Sequence, residues 1–363
     1  MNILIDIGHP GHVHLLRNTY HQLSQKGHVL WVTVKDIPIA KVLLEKYNIE
    51  YINIGKKRDS LSGKALTQLN YNYKVLRLVI KNKIEIGIGS SITLTHISKL
   101  TKMKSILLDD DDDNVQPLFV KYAHPFADTI LSPSSLIGHR KSKKTIFYSG
   151  FHELAYLHPN RFTPNIEILN EIGLKKGDPF FIMRFNVFKA HHDIGVLGMS
   201  LEQKLKLVSV LEPHGKIFIT TERNIEPELK KYQLLVEPEK VHSLMFYATM
   251  FLGDSQTMTS EAAILGTPAI RMNSFVGRIS YLEEEEHKYG LTFGFKPDEF
   301  KEMLEKIEHL LDNDSLKKQW KVKRQKLLSD KIDVSAFLVW FVENYPNSNQ
   351  IIKDNANFQN RFK

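Results

Sequence analysis

The segment with the clearest chemical pattern passes from a strand-like run through a tight polar turn into a helix-like stretch. The turn places Ser255, Gln256 and Thr257 at the start of that helix, where backbone donors and the helix dipole favour an anion such as phosphate. Glu261 follows about one turn later, where a carboxylate accepts hydrogen bonds from ribose hydroxyls. The same residues also fit an ordinary capped helix, so the local pattern leaves both interpretations open.

A second polar loop follows the strand-like run 2–7. Gly8 and Gly11 allow close approach of the backbone to a ligand, so we predict that this loop contacts the substrate. His12 is a candidate general base towards an acceptor hydroxyl, because the reference pKa of histidine lies near neutrality. His9, His12 and His14 also suggest a metal site, but we predict none because no carboxylate is adjacent. Helix capping by the loop histidines is the structural alternative.

Five consecutive aspartates, 109–113, follow the strand-like run 104–108. Adjacent carboxylates repel one another, which raises the pKa of one or more of them. Asp109 or Asp110, at a strand end, is therefore a candidate general base, with a divalent-cation site as the alternative. For Asp112 and Asp113 we predict a solvated acidic loop.

Further polar residues stand at the ends of strand-like runs in the second half of the chain. Arg184 is predicted to hold a diphosphate through charge-assisted hydrogen bonds. Thr221 and Arg223 are predicted neighbours of the nucleotide, and residues 191–193 either contact substrate or cap a turn. Residues 283–286 are predicted to form a solvated helix face.

These residues must be positioned by alternating strands and helices, which imply βαβ units and a parallel sheet. The pattern occupies the first 150 residues and restarts near residue 180. The predicted strands are 2–7, 28–34, 50–54, 84–88, 104–108, 128–132, 145–148, 180–184, 215–220, 249–253 and 268–272. The predicted fold is α/β, with two Rossmann-like domains facing each other across a cleft and ligands beyond the carboxyl ends of the strands.

The predicted boundaries follow from composition and from the positions of Pro and Gly. They are an N-terminal Rossmann-like domain at 1–155, a linker at 156–178, a C-terminal Rossmann-like domain at 179–333, a helix returning to the N-terminal domain at 334–346, and a flexible tail at 347–363. The apolar helix is too short to span a bilayer and is expected to pack on a domain. The basic stretch 317–326 before it is predicted to be a solvated face, with contact to anionic lipid as the alternative.

The composition sets outer limits on function. The chain has 363 residues, no cysteine, 49 Lys plus Arg against 41 Asp plus Glu, and a formal charge of +8. This is a globular composition, and the absence of cysteine excludes disulfides, thiolate metal sites and cysteine nucleophiles. The N-terminus lacks the features of a signal peptide, so we expect a cytoplasmic protein. No nucleic-acid-binding motif is present, and we predict no nucleic-acid partner.

The late segment resembles the donor-nucleotide signature of the GT-B superfamily, which includes nucleotide-sugar glycosyltransferases and non-hydrolysing UDP-N-acetylglucosamine 2-epimerases. The chain departs from that signature at Gln256, where the superfamily usually has Gly. Arg271, after the following strand, resembles an Arg of the epimerases and is implied to hold the diphosphate. The matching positions are Gly253, Ser255, Glu261, Ala262, Gly266 and Pro268.

Over residues 1–345 the chain resembles the family called domain of unknown function 354, through the loop 7–14, the segment 150–159 and the segment 261–270. The resemblance implies a glycosyltransferase that moves a sugar from a nucleotide sugar, which we expect to be UDP-linked, to an acceptor in polysaccharide or glycoconjugate synthesis. An epimerase-like enzyme and a non-catalytic nucleotide-sugar-binding protein are the alternatives. The expected partners are the nucleotide sugar and a glycan or lipid-linked acceptor, with no metal or other cofactor. Peripheral membrane contact and a homodimer are left open.

Overall fold

The computed structural model describes residues 1–56, 61–185, 198–221 and 225–363. These residues form two compact units, Met1–Arg161 with Lys331–Lys363, and Phe162–Asp330. We call them unit 1 and unit 2 and number the elements along the chain.

Unit 1 is built on a parallel sheet of seven strands in the order β3-β2-β1-β4-β5-β6-β7. The alternation of apolar runs with amphipathic stretches produces this sheet, and β1 lies inside it because its side chains from Ile3 onward are buried. The strands are β1 Asn2–Ile7, β2 Val29–Lys35, β3 Ile52–Gly55, β4 Ile86–Gly89, β5 Lys104–Leu108, β6 Thr129–Pro133 and β7 Thr145–Tyr148. The intervening helices are α1 Pro10–Gln25, α2 Pro38–Lys46, α3 Leu61–Lys81, α4 Ile92–Leu100, α5 Pro117–Ala123 and α6 Leu154–Leu157.

Unit 2 contains a parallel sheet of five strands in the order β12-β11-β10-β8-β9. Four of these strands were predicted, and the fifth, Thr292–Phe295, was not. The strands are β8 Phe180–Arg184, β9 Lys216–Thr220, β10 Met250–Gly253, β11 Ala269–Met272 and β12 Thr292–Phe295. The helices are α7 Glu167–Glu171, α8 Leu201–Leu211, α9 Val241–Tyr247, α10 Gln256–Leu265, α11 Ser280–Glu283, α12 Phe300–Leu311 and α13 Leu316–Asp330. The two parallel α/β sheets confirm the predicted fold class.

The C-terminal segment returns to unit 1, as predicted. Helix α14, Val334–Glu343, packs against α1 and α6, and the Ser335 hydroxyl donates to the Ala155 carbonyl at 2.7 Å. Most of α14 is buried, which confirms packing on a domain rather than exposure as a membrane segment. Among the residues that the structure describes, no helix has both the length and the apolar composition needed to cross a bilayer.

The prediction of a flexible tail at 347–363 is wrong. Residues Asn347–Asp354 form helix α15, and Ala356–Phe362 form a 3₁₀ helix. The rings of Phe358 and Phe362 lie 4.7 and 5.6 Å from the ring of Trp340. Aromatic residues spaced along a polar segment therefore anchor the tail to α14.

Candidate active site

The carboxyl edge of the unit 1 sheet gathers polar residues from three strands. The first turn of α1 brings His12, the segment after β5 brings Asp110, and the segment after β7 brings His152. His152 and Asp110 both influence the titration of His12, so the three side chains form one electrostatic group. The sequence predicted His12 and Asp110, and the structure brings them together.

The β1–α1 loop fixes the protonation of His12. The Gly8 N–H donates to His12 Nδ1 at 3.2 Å, while His9 caps α1 by accepting from the Gly11 N–H at 3.1 Å. Burial, followed by the positive fields of His9 and His152, lowers the pKa of His12 to about 3. His12 is therefore neutral at physiological pH, and because Nδ1 accepts a hydrogen bond, its proton is assigned to Nε2.

Asp110 pairs with His152, a residue that the sequence analysis did not select. The Oδ2 atom of Asp110 lies 2.9 Å from His152 Nδ1. Burial alone would raise the pKa of Asp110, but the charge and hydrogen bond of His152 outweigh it and hold that pKa below its ordinary value. Asp110 orients the ring by facing Nδ1, so that in the neutral form of His152 with its proton on Nδ1 the lone pair is on Nε2.

His152 is held in place by its surroundings. Its ring stacks on the buried Tyr148 ring at a centroid distance of 6.3 Å and an interplanar angle of 9°. His152 is only 9% exposed, and within the described part of the chain its Nε2 atom has no hydrogen-bond partner. A buried ring nitrogen with a free lone pair, next to an orienting carboxylate, is the arrangement of a general base. The only sequence signal for it was its place in the segment 150–159.

Asp109 has a different environment from Asp110. It is 2% exposed, and its carboxylate lies 2.9 Å from Arg140 Nη1 and 2.7 Å from His124 Nε2. Gln116 Nε2 donates to its other oxygen at 2.5 Å. Because both of its oxygens are engaged by side chains, Asp109 has the surroundings of a structural carboxylate.

The remaining aspartates do not form a solvated loop, so that prediction is wrong for Asp112 and Asp113. Asp112 is buried, and Asp113 accepts from Arg140 Nη1 at 2.5 Å. Arg140 also donates to two backbone carbonyls of the loop at 3.0 Å, which folds the acidic loop around one guanidinium. Burial of the Asp111 carboxyl, followed by the negative charges of Asp110 and Asp109, raises the pKa of Asp111 well above its ordinary value. Neighbouring carboxyls in this loop thus favour opposite protonation states.

The two candidate sets of metal ligands in the sequence were the histidines at 9, 12 and 14 and the aspartates at 109–113. Among the described residues, no group of three or more His, Asp or Glu side chains is arranged to hold a metal ion. His14 is a buried residue of α1, and its ring stacks on Tyr156 at 5.4 Å.

In unit 2, the predicted phosphate-binding residues stand at the carboxyl edge of the sheet. Arg184 of β8 is in register with Thr220 of β9 and Gly253 of β10, and Thr221 directly follows β9. The strands approach closely here, because a Cβ on Gly253 would lie 2.1 Å from the Arg184 carbonyl oxygen. The glycine of the signature is therefore explained by strand packing. The structure brings Arg184, Thr221 and the start of α10 to one edge.

The N-terminus of α10 follows the predicted pattern. Ser255 is the N-cap and accepts from the Met258 N–H at 3.4 Å, while Gln256 and Thr257 occupy the first turn, with Thr257 exposed. The first-turn N–H groups of a helix lack intrahelical acceptors. This end of α10 therefore presents backbone donors and the positive end of the helix dipole.

The side chain of Glu261 is buried rather than exposed at the N-terminus of α10. It is 5% exposed, and its Oε1 atom is 3.0 Å from Nε2 of the buried His242. The sequence analysis did not identify this pair, because the two residues come from different helices.

The side chain of Arg271, on β11, is fully buried in the interior of unit 2. Its Nη2 atom is 3.0 Å from Glu283 Oε1 and 3.6 Å from Glu286 Oε2. The prediction of a solvated helix face at 283–286 is wrong, because Glu285 is fully buried and accepts from the Ser260 hydroxyl at 2.5 Å. The predictions for Arg223 and residues 191–193 lie outside the described residues.

Two successive parallel α/β units and a C-terminal helix that returns to the first define a GT-B-like fold, as solved structures confirm. S. aureus MnaA, in a co-structure with UDP, has a TM-score of 0.68 at 13% identity, covering 96% of this chain and 97% of that one. The UDP-GlcNAc 2-epimerase of Neisseria meningitidis, bound to UDP-GlcNAc, has a TM-score of 0.65 at 12% identity, with coverages of 94% and 99%. The glycosyltransferase SsfS6 of Streptomyces sp. SF2575 has a TM-score of 0.62 at 11% identity, with coverages of 95% and 100%.

The chain belongs to the family described as Protein of unknown function (DUF354), whose profile matches residues 1–327. An uncharacterised protein of Methanocaldococcus jannaschii, MJ0665, is 23% identical over 313 residues, which are 79% of this chain and 86% of that protein. Family membership confirms the resemblance found in the sequence and leaves the reaction to be argued from the site.

Proposed function

We propose that this protein is a glycosyltransferase that moves a sugar from a nucleotide sugar, with UDP as the expected nucleotide, to a glycan or lipid-linked acceptor in polysaccharide or glycoconjugate synthesis. The observation that carries the proposal is the Asp110–His152 pair, with a buried His152 Nε2 atom that lacks a partner among the described residues. This pair supplies a base for an acceptor hydroxyl. No metal enters the proposed mechanism.

We assign nucleotide-sugar binding to the polar edge of the unit 2 sheet and proton transfer to the polar edge of the unit 1 sheet. Unit 2 binds the nucleotide sugar, with the α10 N-terminus at Ser255, Gln256 and Thr257 and the strand end at Arg184 holding the diphosphate. Thr221 lines the same edge. The buried Glu261 positions this site through His242, in addition to its proposed role towards the ribose. Arg271 supports the site from the interior through its pairs with Glu283 and Glu286.

Residues of unit 1 carry out the proton transfer from the acceptor hydroxyl. His152 Nε2 takes the acceptor proton as the acceptor oxygen attacks the anomeric carbon, and the bond to the diphosphate oxygen breaks. The nucleoside diphosphate leaves with the electron pair, and the positive edge of unit 2 stabilises its charge. Asp110 orients His152 and stabilises the imidazolium that forms. Neutral His12 donates from Nε2–H to a substrate oxygen rather than acting as the base, while Gly8 before α1 and Gly11 in its first turn allow close approach of the substrate.

The test is turnover of a panel of UDP-sugars with acceptor extracts, followed by product analysis. We expect His152→Ala to lower turnover by about 10²–10⁴-fold, the usual contribution of general base catalysis, without changing UDP affinity. His139→Ala is the matched control, because the His139 side chain is 62% exposed and lies 3.4 Å from Asp112 of the same acidic loop. Full activity in His152→Ala would contradict the assignment.

One observation favours a second candidate, an epimerase that eliminates the nucleotide and adds it back to the sugar. Asp110 and Asp111 have pKa values displaced in opposite directions, and such a pair can provide a base and an acid. This alternative predicts conversion of a nucleotide sugar in the absence of any acceptor, with deuterium from D₂O entering the sugar. The transferase predicts neither result without an acceptor. Nucleotide binding without conversion under either condition would favour the non-catalytic binding protein.

A further inference from the structure

Helix α3 carries an apolar stripe on its exposed side. Leu66, Leu69, Tyr73 and Ile80 are between 57% and 65% exposed, and their spacing places them on one face of the helix. The opposite face is buried in the core of unit 1, where Tyr71, Val75 and Val79 pack with Leu4 of β1. Large apolar side chains aligned along one exposed face mark an interaction surface.

The margin of this stripe is cationic. Lys74, Arg77 and Lys81 are exposed beside it, and the Arg77 guanidinium lies 5.8 Å from the centre of the Tyr73 ring. No Asp or Glu occurs between positions 61 and 84, so every charged residue of α3 is positive. Apolar residues flanked by cations on one helix are the pattern of a helix that lies in a bilayer interface.

The surface continues onto the neighbouring helices. His96 of α4 bonds the Asn72 side chain of α3 at 3.4 Å and the Tyr122 carbonyl of α5 at 2.9 Å. Its ring packs edge-on against Phe126 at 4.9 Å. Beyond His96 the surface adds exposed apolar and cationic side chains. We call the following set the α3–α5 surface: Leu66, Leu69, Tyr73, Ile80, Leu118, Tyr122 and Phe126, with Arg77, Lys81 and Lys121. Lys74 is left out because its ammonium donates to the Ile54 carbonyl at 2.9 Å.

We propose that the α3–α5 surface docks this protein on an anionic lipid bilayer. Anionic headgroups complement the cations while the apolar and aromatic side chains enter the interface. A second copy of the chain is a poorer occupant, because a two-fold contact would bring two surfaces of the same positive charge together. The site differs from the basic stretch 317–326, where Lys323 and Arg324 bind backbone carbonyls of unit 2 at 2.8 and 2.7 Å.

The experiment is vesicle co-sedimentation of the full chain. Vesicles of phosphatidylcholine alone are compared with vesicles that contain phosphatidylcholine and phosphatidylglycerol in equal amounts. We expect binding to the anionic vesicles only, and its loss near 1 M salt, where the Debye length is about 3 Å. The double variant Arg77→Ala/Lys81→Ala should weaken partitioning about 25-fold, from about fivefold for each cation removed.

Matched controls separate this surface from general attraction by a protein of net charge +8. Lys317→Ala/Lys318→Ala removes two exposed cations from α13 and should leave partitioning within about twofold of wild type. Leu69→Ser should weaken partitioning about tenfold through lost apolar burial. Leu235→Ser, at a position that is 86% exposed in unit 2, should have no effect.

Three outcomes would overturn the proposal. One is the absence of binding to anionic vesicles at low salt, and another is an equal loss in the α3 and α13 double variants. The third is a dimer of the wild-type chain that Leu69→Ser converts to a monomer in sedimentation velocity, which would assign the surface to a second copy. These measurements require no nucleotide or sugar, so their outcome is independent of the proposed reaction.

Discussion

In the sequence, the adjacent residues Asp109 and Asp110 were equivalent candidates for the general base. Their replacement by alanine should nevertheless have different effects on stability and turnover. Asp109→Ala should destabilise unit 1, and Asp110→Ala should abolish turnover with little effect on stability. The contrast follows from their partners. Asp109 is enclosed by Arg140, His124 and Gln116, whereas Asp110 faces His152 with 26% of its side chain exposed.

The expected losses in the free energy of unfolding differ severalfold between the two variants. Removing one partner of a buried ion pair costs about 3–5 kcal/mol, because the other charge stays buried without its partner. Arg140 keeps Asp113 and two carbonyls, so we expect Asp109→Ala to cost the lower value, about 3 kcal/mol. That loss corresponds to a fall in melting temperature of about 6–12 °C for a unit of this size. Asp110→Ala removes a partly exposed pair, for which about 1 kcal/mol or less is expected.

Urea denaturation followed by circular dichroism measures both variants against wild type, and turnover with a UDP-sugar is measured on the same preparations. Asp109→Asn serves as a milder variant that keeps the volume of the side chain if Asp109→Ala does not fold. Equal free energies of unfolding for the Asp109 and Asp110 variants would refute the assignment of a structural role to Asp109.

Two further predictions concern His12 and the C-terminal tail. The folded protein leaves His12 unprotonated down to about pH 3 while the unfolded chain protonates it near pH 6.5, so stability should fall as the pH drops through that window. His12→Gln should flatten this acid limb in thermal melts, and an unchanged slope would contradict the neutral state of His12. Phe358→Ala should cost about 2 kcal/mol, because it removes the ring that packs on Trp340. Lys353→Ala, at an exposed position of α15, is the control in urea denaturation, and equal stabilities would contradict the packed tail.

The order of elements could be predicted because each is determined by local periodicity. Buried parallel strands appear as continuous apolar runs, and eleven of them were found in this way. Strand β12, Thr292–Phe295, escaped because threonine and glycine alternate with its two phenylalanines, so it contains no continuous apolar run. The tail was misassigned because its polar composition conceals the spaced aromatics that pack on Trp340.

The candidate site could be predicted only where one segment carries the whole pattern. The α10 N-terminus and the β1–α1 loop are such segments, since capping and loop geometry are local. The pairing of Asp110 with His152 and that of Glu261 with His242 depend on which strands and helices are adjacent, and spacing along the chain does not encode it. For the same reason Asp112, Asp113 and Glu285 were predicted to be solvated, although Asp112 is buried and the carboxylates of Asp113 and Glu285 bind Arg140 and Ser260.

Calorimetric titration of UDP, together with its effect on the melting temperature, tests the central claim of a nucleotide-sugar enzyme most directly. The account predicts that UDP binds the wild-type protein and stabilises it by about 2.7 kcal/mol at 100-fold Kd. It also predicts that Glu261→Ala and Arg184→Ala lose this binding, whereas His152→Ala retains it. Absence of binding by UDP and by the other common nucleoside diphosphates, in an assay validated on a known binder, would contradict the claim.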